Sequence, residues 1–97
     1  MNFKEKTKVI KFLSVDDILK LKFKNNIHYI LDLLNLNEVE VIKIKENLCT
    51  FGKRVYLNKS SFVIIYKNSF NESLNIVPTL VEAYDFIEME EIERNLF

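Results

Sequence analysis

Ninety-seven residues, 48% of them apolar with eight Phe and four Tyr, and a net charge of zero describe one folded domain with room for a single core, and exclude disorder. A lone cysteine, Cys49, excludes an internal disulfide and suits a reducing compartment. No run approaches the ~18 apolar residues that a membrane span needs, and "MNFKEKTKVIKFL" at the amino terminus is charged where a signal peptide is apolar. A cytoplasmic protein without membrane contact is expected.

The zero net charge hides a division. Residues 1–67 carry thirteen Lys or Arg against seven Asp or Glu, a net of +6, whereas residues 68–97 carry Arg94 against seven acids, a net of −6. A basic body with an acidic tail suggests a polyanion-binding part coupled to a part with another task.

Glycine and proline occur once each, at Gly52 and Pro78, so turns are sought in polar clusters. "KVIKFL", residues 8–13, suits a strand or a lead-in to a helix. Ser14 is a good N-cap with Asp16 and Asp17 in the first turn, which predicts a helix over 15–21 with Val15, Ile18, Leu19 and Leu21 inward. The chain then turns at "LKFK". Asn25 or Asn26 caps a second helix, in which Ile27, Ile30, Leu31 and Leu34 recur at helical spacing. "EVEVIKIKE", residues 38–46, alternates and predicts a half-buried strand. "NLCTFGK" is then a loop and "RVYL" a second strand, the pair making a β-hairpin. "NKSSFVIIYKN" predicts a third helix to about residue 67, capped by Asn58 or Ser60, with a strand as the alternative. After the polar stretch "NSFNES", residues 74–97 form an amphipathic acidic helix. Pro78 lies in its first turn, Val77, Leu80, Val81, Tyr84 and Ile87 form its stripe, and Glu88, Glu90, Glu91 and Glu93 occupy its other sides.

The order helix, turn, helix, hairpin, helix is that of a winged helix-turn-helix. The pieces "SVDDILKL", "NIHYIL", "VEVIKIK" and "KRVYLNKSSFVIIY" stand in the order and near the spacing of the excisionase and MerR-type DNA-binding family, which residues 13–67 resemble. The turn lacks the glycine usual in that family, having Lys22 nearby. The resemblance implies an α+β fold: a winged helix-turn-helix core over 13–67 with a β-hairpin wing and, within the same single domain, an extra C-terminal acidic helix. It implies a small accessory or regulatory protein of the phage or plasmid excision, partition, relaxosome or transcription type, binding duplex DNA through the second helix and wing.

On that arrangement Asn25, Asn26 and Tyr29 lie off the apolar side of the second helix and reach outward, since Asn can read adenine and Tyr can donate to phosphate. Lys22 and Lys24 at the turn suit phosphates, Lys43 and Lys45 lie on the wing's first strand, and Lys53 and Arg54 at the wing reach an adjacent backbone or minor groove. The acidic helix is expected to pair with its copy in a homodimer through Leu80, Val81, Tyr84 and Ile87, or to bind a basic protein partner. The alternative function is a protein-binding module or an inhibitor of a host enzyme using that helix.

Catalysis is not expected. His28 has no second His or Cys at metal spacing and reads as a half-buried ring, Ser60 and Ser61 read as caps, and Cys49 reads as a small hydrophobe. The acids between Glu88 and Glu93 lie on one helix without a histidine, so neither a metal nor a cofactor is expected.

Overall fold

Residues 28–31 and 62–65 are buried without a break, as strands are when both faces of a sheet are covered. The computed structural model, which describes residues 3–96, places them in β2 (His28–Asp32) and β3 (Phe62–Ile65), the middle of a four-stranded sheet. β1 (Thr7–Lys11) and the two-residue β4 (Ile76–Val77) lie at its edges. All neighbours are parallel, in the order β1-β2-β3-β4, with Ile30 beside Val9 on one side and Val63 on the other.

Alternate side chains of these strands enter two separate cores. Tyr29, Leu31, Phe62 and Ile64 point to one face, which is covered by a 3-10 helix (Val15–Lys20), α1 (Glu38–Lys43) and α2 (Lys45–Leu57) through Ile18, Val41, Ile44, Leu48 and Val55. Ile30, Val63 and Ile65 point to the other, where α3 (Leu80–Asn95) lays Ala83 and Ile87 on the sheet beside Phe3 of an N-terminal 3-10 turn (Phe3–Lys6). The links β1 to β2, β2 to β3 and β3 to β4 all contribute to the first face. Strand order therefore never reverses, and the sheet lacks the switch-point crevice where doubly wound folds bind ligands.

The parallel sheet overturns the winged helix-turn-helix, whose hairpin wing needs antiparallel strands. The first expected helix survives as the 3-10 helix. The second is β2: in a strand buried on both faces nearly every residue is apolar, so a helical spacing can be picked out of it without meaning anything. The expected strand over 38–46 is α1 and the start of α2. Its alternation is real, but Asn37 and Glu40 form a capping box that starts a helix, with the Glu40 N–H donating to Asn37 Oδ1 and the Asn37 N–H to Glu40 Oε1, both at 2.9 Å. The supposed loop and wing strand both lie inside α2, whose buried positions Leu48, Gly52 and Val55 follow helical spacing. Of the two options for "FVIIY", the strand is the one present. The acidic C-terminal helix is present as α3 but begins at Leu80, not at 74: Val77, expected in its stripe, pairs in β4, and Pro78 lies before the cap Thr79, which accepts from the Glu82 N–H at 3.2 Å.

Gly52 marks where α2 comes closest to the sheet: a Cβ there would lie 2.9 Å from Phe62 Cδ2, and Phe62 is buried. Helix propensity favours Ala over Gly by ~1 kcal/mol, but overpacking a filled core costs roughly 1–3 kcal/mol. Gly52→Ala is therefore expected to lower stability, seen as a reduced urea midpoint with an unchanged m-value.

Candidate functional site

Where β2 and β3 begin, on the α3 side of the sheet, polar residues replace the apolar ones. His28, the first residue of β2, is buried, and its Nδ1 accepts the Ser61 backbone N–H at 2.9 Å. The ring proton is thereby assigned to Nε2, which lies 2.6 Å from Glu91 Oε1. Ser61 Oγ donates to Glu90 Oε1 at 2.6 Å and accepts from Arg94 Nη2 at 2.8 Å. Tyr56, on α2, donates its hydroxyl to the same Glu90 oxygen at 2.9 Å and accepts from Asn75 Nδ2 at 2.6 Å. Arg94 completes the set, 3.4 Å from Glu91 and 3.6 Å from Glu90.

This cluster fastens α3 to both central strands and, through Tyr56, to the far end of α2. Both ring nitrogens of His28 are engaged, the Ser61 hydroxyl proton goes to Glu90 and not to the imidazole, and Ser61 is fully buried. Burial holds the His28 imidazole below its ordinary value; the Arg94 charge adds to that, while Glu91 and Glu90 pull the other way. Burial, followed by the Glu90 charge, raises the Tyr56 phenol, which stays protonated.

With its inner side committed, α3 presents the rest to water. Val81, Met89, Ile92 and Leu96 are each more than half exposed and share one side of a 3.6-residue repeat with Asp85 and Glu88. Glu82 and Glu93 flank them, and all four acids are exposed. Beside this surface a groove of about 520 Å³ runs between α3 and the N-terminal 3-10 turn, walled by Phe3, Lys6, Glu88 and Ile92.

The expected DNA-binding residues are divided. Lys22, Lys24, Asn25 and Asn26 are exposed in the loop before β2, where Asn26 takes the left-handed conformation with φ 63°. Tyr29 is buried in β2. Its hydroxyl donates to the Lys22 carbonyl and accepts the Lys24 N–H, both at 3.0 Å, so it shapes the loop from inside. Arg54 belongs to α2 and not to a wing, and its guanidinium lies 4.3 Å from the centre of the Phe23 ring. Lys22 and Lys24 flank Phe23 in sequence and are exposed. Lys53 is exposed on α2, while Lys43 ends α1 and Lys45 starts α2. Arg54 also borders an open groove of about 420 Å³ between the 3-10 helix and α2, lined further by Ile18, Leu21, Thr50 and Phe51.

Of the expected dimer residues, Leu80 and Val81 are exposed. Tyr84 is half-buried, with Phe3 at a ring-centre distance of 6.2 Å, and Ile87 is fully buried in the domain's own core. The cluster around His28 went unseen in the sequence, although the spacing of Glu90 and Glu91 to Arg94 is that of helical ion pairs. Among the described residues no helix is long and apolar enough to cross a membrane. Comparison with protein-family models, curated proteins and solved structures finds no match for this chain.

The cluster sets a pH dependence. The unfolded chain takes up a proton near the ordinary imidazole value of 6.5, whereas the folded chain resists it, so the stability due to neutral His28 is present above that pH and lost as pH falls below it. Urea midpoints of the native protein are expected to fall from pH 7 to 5 more steeply than those of His28→Gln. The difference between the two slopes is at most one proton, about 1.4 kcal/mol per pH unit.

Proposed function

We propose that this domain is a protein-interaction module whose working surface is the outward side of α3, where it receives a basic amphipathic helix of a partner protein. One observation carries the reading: Val81, Met89, Ile92 and Leu96 stand exposed among acids on a helix whose opposite side is already occupied by the sheet. A surface helix of a finished domain ordinarily turns a polar face outward, and large apolar side chains exposed among acids are what an interface leaves when its partner is absent. Covering four such side chains contributes several kcal/mol, from roughly 1.5–3 kcal/mol for each when fully buried. The acids favour lysine or arginine at the rim of the partner and speed its approach.

The reading is tested with a synthetic amphipathic helix of Leu and Lys, followed by fluorescence anisotropy, with a Leu and Glu helix as the control. Saturable binding of the basic helix alone is expected, weakened tenfold or more by Met89→Ser with Ile92→Ser and left unchanged by Leu34→Ser, which removes an exposed apolar residue outside α3. Equal binding by the two variants would remove α3 from consideration.

A second reading, contact with duplex DNA, is favoured by Lys22 and Lys24, exposed on either side in sequence of the Phe23 over which Arg54 lies. Such contact would run mainly through phosphates, because the expected recognition helix is the buried β2 and leaves only Asn25 and Asn26 exposed in the loop before it. Its affinity would fall steeply with salt. Lys22→Glu with Lys24→Glu is expected to abolish a gel shift on duplex DNA, and an unaltered shift would sink the idea. Excision, partition, relaxosome assembly and repression are not distinguished by the fold.

A further inference from the structure

The sheet ends in two edges that differ in kind. β4 is two residues long and is followed at once by Pro78, and short length and proline are the ordinary means of closing an edge to further pairing. β1 has neither device and runs for five residues. The Phe12 N–H donates to the Asp32 carbonyl of β2 at 2.9 Å, and alternate residues of a strand in a parallel sheet bond to opposite sides. Lys8, Ile10 and Phe12 therefore face β2, while Val9 and Lys11 turn their N–H and C=O groups away from the sheet. Among the described residues nothing takes these four groups. The next outward N–H, that of Leu13, already has a carboxylate: Asp17 Oδ2 accepts it at 2.7 Å.

The side chains along this edge select what can pair with it. Residues 6–11 contain three lysines and no acid. Ile10 packs with the first core, whereas Val9 stands beside Ile30 of the second, so strand alternation puts Lys8 on the first face and Lys11 on the α3 face. Lys8, Val9 and Lys11 are exposed, and none of the described ion pairs holds Lys6, Lys8 or Lys11. The neighbouring acids are Glu5, in the turn before the strand, and Asp32, which stands beside Lys11 in register and accepts the Leu34 N–H at 3.0 Å. We infer that the β1 edge is a docking site for an extended segment of another protein, one that adds a strand beside β1 and carries acid, two apolar residues and acid in succession. Its backbone bonds to Val9 and Lys11, its acids oppose Lys8 and Lys11, and its apolar pair covers Val9 and Ile10. The order lysine, apolar, apolar, lysine reads the same both ways, so a parallel and an antiparallel segment satisfy it alike. Lysine on an edge turns away strands like itself, a second copy of β1 included, whereas opposite charges across a strand pair attract. The site is separate from the outward side of α3 and does not depend on a helix docking there.

The test uses the whole protein and a synthetic peptide with Glu-Ile-Val-Glu at its centre, followed by fluorescence anisotropy and by the exchange of single amides in NMR. Saturable binding is expected, with exchange of the Val9 and Lys11 amides slowed tenfold or more. In either strand direction the Val N–H of the peptide faces β1 and the Ile N–H faces away. Methylating the Val nitrogen should therefore abolish binding, and methylating the Ile nitrogen should leave it. Lys8→Glu with Lys11→Glu, once circular dichroism establishes that it folds, is expected to lose the peptide tenfold or more and to take Lys-Ile-Val-Lys in its place; if it does not fold, the methylated peptides decide. Met89→Ser with Ile92→Ser should bind the peptide as the native protein does. No binding, equal binding of the two methylated peptides, binding unaltered by the lysine changes, or binding lost with Met89 and Ile92 would each overturn the inference, equal binding meaning that charge alone attracts. Val9 and Lys11 amides that become protected as the native protein is concentrated without peptide would give the edge to a second copy and overturn it as well.

Discussion

β2 and β3 have no face turned to water, and this constraint determines where everything else must lie. A strand pair buried on both sides has its backbone polar groups satisfied by the sheet and its side chains divided between two cores, so each face needs a cover of its own. The first face has three covers that arise from the connections themselves. The second has no connection crossing it and depends on α3, with Phe3 at its flank. The apolar contact of Ala83 and Ile87, with Tyr84 and Phe86 at its edge, on Ile30, Val63 and Ile65 fixes the roll of the helix only weakly, because apolar contacts carry no direction.

The His28 cluster supplies the direction that apolar contact lacks. Hydrogen bonds from two strands and from α2 end on Glu90, Glu91 and Arg94, and none can be kept if α3 rolls by the angle of one residue. Every described buried polar side-chain atom has a partner, so the cluster escapes the penalty attached to half-satisfied polar networks. Fixing the roll of α3 also decides which residues it shows to solvent. The exposed position of Met89 and Ile92 is thus a consequence of bonds made on the far side of the same helix.

What the sequence disclosed and what it concealed can be traced to particular residues. α3 was legible from its long helical repeat of apolar and acidic residues, although its start was placed too early, and the exposed loop at Lys22 to Asn26 was legible from its polar run. β2 was not, since "HYIL" is apolar through and through and fits either period. α1 and α2 were concealed by an alternation of Glu, Val and Lys that imitates a strand; the Asn37 and Glu40 capping box, with buried residues at 41, 44, 48, 52 and 55, was the better signal. Lys22 and Lys24 were expected at a turn and Arg54 on a wing, and the wing does not exist: Arg54 lies in α2 over the Phe23 ring. The polar cluster depends on residues 28, 56, 61 and 90–94 meeting across the sheet, which no local pattern encodes.

The dependence of the second face on α3 also has a cost in time. Strands pair with their neighbours in chain order, so β1, β2 and β3 can assemble on the ribosome as they appear, with the first face covered as each link arrives. Ile30, Val63 and Ile65 must wait for residues 80–95, which follow β3 by a few seconds at a synthesis rate of roughly 5–20 residues per second. During that interval the nascent domain is a sheet with one bare apolar side. It is then most open to capture by a chaperone or by another unfinished copy, and the arrival of one helix ends that exposure.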